Sequence, residues 1–216
     1  MTIKACIFDL DGVIVDTAKH HYLAWKELAK GLNFDFTEKD NERLKGVSRM
    51  RSLDILLEIG KKELDEETKL KFAENKNKKY LEYILKMTPD EILPGVINFL
   101  KDLRSKNIKI ALGSASKNAM TILNQLKLKD YFDVVIDGTK VSKAKPDPEV
   151  FLKGAEALHI KPEECIVFED AEAGIEAAIN GGFKCVGIGS PENLIKANHV
   201  MPGFKNTTFE EIIKVI

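Results

Sequence analysis

Five short runs along the chain are almost continuously apolar and rich in β-branched residues: Ile3 to Phe8, Ile108 to Leu112, Val134 to Ile136, Cys165 to Phe168 and Lys184 to Ile188. Such runs suit strands buried on both faces, as in a parallel sheet. Between the later runs lie amphipathic stretches of helical length, Val96 to Lys106, Lys117 to Leu126, Pro148 to Leu158 and Ala173 to Asn180. The alternation of strand and helix predicts an α/β fold with a doubly wound parallel sheet.

The first run stands apart, because the long stretch between it and the second reads mostly as helix. His20 to Lys30 sets Leu23, Trp25 and Leu28 among charges, and Ser52 to Ile59 and Asp65 to Lys86 are charged helical segments with spaced Leu, Ile, Phe and Tyr. An α-helical cap inserted after the first strand is expected at 17–87, with the core made of 1–16 and 88–216. Pro89 and the Pro94-Gly95 pair punctuate the return to the core.

Composition narrows the function classes. The 216 residues are 44% hydrophobic, enough for a core with a small satellite domain. Lys and Arg number 33 against 34 Asp and Glu, so no net field favours nucleic acid or an anionic membrane, and any anion must be held locally. No segment approaches the roughly 20 apolar residues of a membrane span, and no secretory signal opens the chain, so a cytoplasmic protein is expected. Cys6, Cys165 and Cys185 each sit in an apolar run with no CxxC neighbour, as buried thiols do. No heptad or long apolar face asks for a dimer, so a monomer is expected.

Candidate chemistry clusters after the strands. Asp9 and Asp11, in Phe8-Asp9-Leu10-Asp11-Gly12, follow the first strand, where ligands bind in open α/β sheets. Two converging carboxylates repel unless a cation neutralises them, and hard Mg²⁺ suits carboxylates, waters and phosphate oxygens. Gly113-Ser114-Ala115-Ser116-Lys117-Asn118 follows the second strand, with Ser114 as a hydroxyl donor to phosphate. Lys145 precedes Pro146-Asp147-Pro148 after the third, and Glu169-Asp170 close the fourth. Singly, each has a plain structural explanation, such as a helix cap, a surface lysine or dipole compensation. Jointly they supply nucleophile, acid, hydroxyl donor, cation and metal carboxylates.

This set resembles the four motifs of the haloacid dehalogenase superfamily of phosphotransferases: DxD, a Ser or Thr, a Lys and an acidic pair. Leu44-Lys45-Gly46-Val47-Ser48-Arg49 with Ser52, after Trp25, is similar to the cap signature of that superfamily's sugar phosphomutases, as is Asp16-Thr17 after the DxD loop. Gly113 and Ala171 depart from frequent family residues at positions with no assigned catalytic role.

The resemblance implies Asp9 as nucleophile, forming an aspartyl-phosphate, with Asp11 as general acid and base and Ser114 and Lys145 neutralising the phosphoryl group. It implies one Mg²⁺ at Asp9, Asp11 (by its carbonyl), Asp170 and Glu169. A second anion site would hold the non-reacting phosphate on Arg49, with Ser116, Lys117 and Asn118. Lys45, Gly46, Val47, Ser48, Ser52 and Lys76 would meet the substrate from the cap, with Trp25 as a wall and Ala115 in the core loop. His21 would couple cap closure to the acid, and His20 is expected at the surface. Asp16 and Thr17 would form the hinge. The implied activity converts β-D-glucose 1-phosphate to D-glucose 6-phosphate through β-D-glucose 1,6-bisphosphate. Two alternatives stand beside it: a sugar-phosphate phosphatase using the same aspartate, and a phospho-ligand binding module without turnover. The intact Asp9, Asp11, Ser114, Lys145 and Asp170 argue against the module, and the cap's distal anion site argues against a monophosphatase.

Overall fold

The computed structural model describes residues 2–44 and 46–216. Six parallel strands form the sheet: β1 (Ala5–Phe8), β2 (Lys109–Gly113), β3 (Val134–Ile136), β4 (Cys165–Glu169), β5 (Lys184–Ile188) and β6 (His199–Met201). Their order is β3-β2-β1-β4-β5-β6. Five strands were expected; β6 is an added edge strand of three residues pairing with β5, and its opening His199 interrupts any apolar run.

Between β1 and β2 the chain forms α1 (Ala18–Gly31), α2 (Glu38–Glu42), α3 (Arg49–Ile59) and α4 (Glu66–Ile84). Side chains start three of these helices. The Asp65 carboxylate accepts from Thr68 N–H, the Ser48 hydroxyl from Arg51 N–H, and Thr37 with Asp40 forms a reciprocal capping box on α2. Trp25, Phe36, Leu44, Leu53 and Leu56 build an apolar cluster of the helices' own. At their base, Ala24, Tyr80, Ile84 and Met87 join the main core instead.

The rest of the chain adds α5 (Val96–Ser105), α6 (Ala119–Gln125), α7 (Glu149–Ala157), α8 (Glu172–Asn180) and α9 (Phe209–Val215). Period-two alternation divides each strand between two faces. Cys6, Phe8, Ile110, Leu112, Ile166 and Phe168 face α5, α6 and α9; Ala5, Ile7, Ala111, Cys165 and Val167 face α7 and α8. The sheet is thus doubly wound, and the fold class is as expected. Its order reverses between β1 and β4, where Phe8 pairs with Phe168. Those two rings stack with centroids 4.8 Å apart, and Phe99 and Phe204 close around them. Each such ring is worth about 1.5–3 kcal/mol of burial, and together they fix the strand ends that carry Asp9 and Glu169.

Two chain segments connect the helical insert to the sheet, and they run side by side. Val15 bridges Ile92, Asp16 N–H donates to the Glu91 carbonyl at 2.8 Å, and Leu93 N–H donates to the Ile14 carbonyl at 3.0 Å. His20 was expected at the surface and is not. Its side chain is 12% exposed, stacks on Tyr83, and places Nε2 3.5 Å from Glu91 Oε1. The tight pairing of the two connections encloses the first turn of α1, which accounts for this burial.

Candidate active site

The loop after β1 turns on Gly12, at φ +82°. A Cβ there would stand 2.1 Å from Asp170 Oδ2, so only glycine lets the Asp170 carboxylate lie over this loop. Asp9 and Asp170 consequently come together at the topological switch point of the sheet.

Asp9 is 5% exposed and fully engaged. Its Oδ1 accepts from Lys145 Nζ at 2.5 Å, and its Oδ2 accepts from Asp11 N–H at 3.0 Å. Lys145 is no surface lysine, because its ammonium also donates to Glu169 Oε1 at 2.6 Å. Burial opposes that charge, but Asp9 and Glu169 override it and hold the ammonium's pKa above its usual value. Glu169 is wholly buried, which raises its carboxyl's pKa with Asp9 adding to the effect, and its Oε2 accepts from Ala171 N–H at 2.7 Å.

Asp11 points the other way, toward the helical insert. Its carboxylate accepts from the Thr17 hydroxyl, and His21 Nε2 lies 4.0 Å off. Burial, then repulsion from Asp9, raises its pKa to about 6. Thr17 is itself buried at the start of α1, whereas Asp16 is exposed. His21 sits 4.1 Å over Tyr80, and its Nδ1 is 2.9 Å from Lys76 Nζ. Burial and the nearby Lys76 and Arg49 push His21 well below the usual imidazole range. Where Lys76 Nζ donates to Nδ1, the ring proton sits on Nε2, the edge toward Asp11.

Lys76 is 4% exposed and lies between the faces of Trp25 and Tyr80, 4.5 and 4.6 Å from their centroids. Burial, then Arg49, lowers its pKa to about 7. Arg49 Nη2 donates to Asn77 Oδ1 at 2.8 Å, and the same oxygen accepts from Asn118 Nδ2 at 2.8 Å. The insert also meets the sheet domain at Gly46, where a Cβ would stand 2.9 Å from that of Ala171.

These groups surround one cavity of about 580 Å³. Asp9, Asp11, Lys145 and Asp170 line one end. His21, Trp25, Gly46, Val47, Ser48, Arg49, Ser52 and Lys76 line the insert's side, and Ala115, Ser116, Lys117 and Asn118 the opposing wall. Ser114 and Glu169 are wholly buried beside the cavity: Ser114 Oγ accepts from Ser116 N–H at 3.1 Å, and Glu169 accepts from Lys145. Lys45 lies outside the described residues. Sequence inspection passed over Asn77 and Tyr80. Yet Ala73, Lys76, Asn77 and Tyr80 all line the cavity at the i, i+3, i+4, i+7 spacing of one helix face, a signal available in the sequence.

The three expected metal carboxylates, Asp9, Asp170 and Glu169, which were to bind with the Asp11 carbonyl, do not gather into one cluster. Among the described residues no group of three or more His, Cys, Asp or Glu side chains is placed to hold a metal. Glu169 is turned to Lys145 and Asp11 to Thr17. Asp9, Asp170 and loop carbonyls form an all-oxygen set that fits Mg²⁺, which takes one or two carboxylates and fills its shell with water and phosphate oxygens.

A doubly wound sheet with paired acids and a buried ammonium at its switch point, under a helical insert, defines a class of phosphoryl-handling α/β proteins. The chain belongs to the haloacid dehalogenase-like hydrolase family, whose model matches residues 3–182. It is 43% identical over 214 residues to β-phosphoglucomutase of Bacillus subtilis, covering 96% of this chain and 93% of that one. A phosphorylated carbohydrates phosphatase of Thermotoga maritima is 36% identical, covering 84% and 83%. A crystal structure of β-phosphoglucomutase from Clostridium difficile superposes with TM-score 0.94 at 48% identity, covering 99% of this chain and 96% of that one.

Proposed function

We propose that the chain is a Mg²⁺-dependent phosphomutase that converts β-D-glucose 1-phosphate to D-glucose 6-phosphate through β-D-glucose 1,6-bisphosphate. The observation that carries this reading is a single cavity with a cation toward each end, Lys145 beside the nucleophile Asp9 at one and Arg49 with Asn118 at the other. A substrate with two phosphates needs both ends, and a monophosphatase needs one.

Starting from phospho-Asp9, Asp11 takes the proton of the sugar 6-hydroxyl as its oxygen attacks phosphorus, and the Asp9–phosphorus bond breaks. The bisphosphate then reverses, and the distal end grips the phosphate just formed. Asp9 attacks the 1-phosphate, the bond from phosphorus to O1 breaks, and Asp11 returns its proton to O1. Asp11's raised pKa suits a group that must hold and release a proton near neutrality. Lys145 balances charge on the transferred group, and Glu169 holds Lys145 in place. Mg²⁺, held by Asp9, Asp170 and the Asp11 carbonyl, would supply further neutralisation of the phosphoryl oxygens. Asp16 and Thr17 are proposed as the hinge on which the insert 17–87 closes as a cap over the core, excluding water from phospho-Asp9.

The test supplies β-glucose 1-phosphate, Mg²⁺ and a trace of the bisphosphate, and follows glucose 6-phosphate against free phosphate. Glucose 6-phosphate with little free phosphate is expected. Free phosphate from many sugar phosphates without isomerisation would overturn the proposal in favour of a hydrolase. Asp9→Ala should reduce turnover by roughly 10³-fold or more.

A further inference from the structure

Asn77 Oδ1 is the meeting point of two donors from different parts of the molecule. Arg49 reaches it from α3 and Asn118 from the wall before α6, each at 2.8 Å. These are the donors that the function proposed above assigns to the non-reacting phosphate, on which the present inference rests. One oxygen accepting two converging N–H groups at that distance offers what an oxygen of a bound phosphate would offer.

We propose that Asn77 is a positioning residue for the distal phosphate: its amide oxygen holds Arg49 and Asn118 convergent in the absence of substrate and yields them when the phosphate arrives. A carboxylate at this place would pair with Arg49 and repel the incoming anion. The neutral amide orients both donors through ordinary hydrogen bonds, and a phosphate dianion outcompetes it through charge-assisted ones. Arg49 commits one N–H to Asn77, which leaves the rest of its donor fork for phosphate. Asn77 also links the helical insert to the sheet domain, so its alternative role is a mere clip between them.

Two kinds of substrate separate these roles. The bisphosphate requires the distal end, whereas acetyl phosphate carries a single phosphoryl group and can load Asp9 without it. Asn77→Asp is expected to raise the KM for β-glucose 1,6-bisphosphate about tenfold or more, a factor several times larger than any loss on acetyl phosphate. Asn77→Ala, which keeps the helix, should raise that KM about threefold to tenfold with kcat little changed. A bisphosphate KM in both variants equal to the parent's would overturn the proposal, as would a parallel loss on acetyl phosphate, the mark of a clip. Arg49→Ala is the control on the underlying reading. If it raises the bisphosphate KM while the Asn77 variants do not, only the role of Asn77 fails; if it leaves KM unchanged, the distal site itself fails.

Discussion

At the scale of single residues, chemistry follows from how each charge is enclosed. Lys76 is nearly buried against two aromatic faces beside Arg49, and its pKa falls to about 7 from 10.5. Between those values the folded, ligand-free protein holds it largely neutral while the unfolded chain holds it charged. The unfolded state therefore binds more protons, and Lys76's contribution to stability rises as pH climbs from 7 to 10.5, its penalty being complete below 7. A phosphate entering the cavity reverses the balance by favouring the ammonium. Bisphosphate binding at pH 8 is therefore expected to draw up to about one proton from solution onto Lys76. Calorimetry in two buffers of different ionisation enthalpy measures the uptake, and Lys76→Met should abolish it. An equal uptake in that variant would assign the proton elsewhere. Asp9, Asp11 and Asp170 were legible in the sequence because each closely follows an apolar strand, and Lys145 because it stands just before the Pro146-Asp147-Pro148 start of α7. Asn77 was not, because one amide within a charged helix looks solvated until the face it shares with Lys76 is drawn. His20 was misplaced because its burial comes from the second connection, whose Glu91 lies far off in sequence.

Elements were legible where an apolar or amphipathic pattern marks them, and length alone did not decide it. β3, of three apolar residues, and α6, of seven, were readable, whereas β6, also of three, opens on His199, and α2, of five, is wholly polar. Thr208 and Glu211 cap α9 reciprocally. The return from insert to sheet was readable at Pro94-Gly95, and its structural reason is steric. Gly95 has φ +88°, and a Cβ there would stand 2.3 Å from the backbone of Phe204, whose ring closes the aromatic cluster beneath the strand ends. Backbone cannot yield as a flexible side chain can. Gly95→Ala is thus expected to cost about 1–3 kcal/mol, lowering Tm by about 2–4 °C per kcal/mol, while the substrate KM stays at the parent value. A melt unchanged from the parent would show that the loop at Phe204 adjusts freely.

The whole molecule joins an insert with its own apolar cluster to a sheet domain, and the joint is apolar as well as covalent: Ala24, Tyr80, Ile84 and Met87 extend the main core into the insert's base. How the two parts would meet was not legible, because their contacts at Gly46 with Ala171 and at Asn77 with Asn118 depend on packing among the helices and not on any local pattern. The balance of charge has the same character. The chain's net charge is −1, which implies no attraction for an anionic sugar phosphate, yet Arg49 and Lys76 on the insert's side and Lys117 on the opposing wall all line one cavity. Within a Debye length of about 8 Å at physiological salt, that local cluster outweighs the distant remainder. Raising KCl should accordingly lower kcat/KM for the bisphosphate several-fold, by about 3-fold or more between 0.02 and 0.3 M, with kcat little affected. Two variants that each remove one positive charge locate the cause. Arg49→Ala should flatten the salt dependence, whereas Lys214→Gln, at the exposed end of α9, should reproduce the parent's slope. Equal slopes in all three proteins would mean that net charge governs the approach of substrate and that the cavity's cations act only after contact.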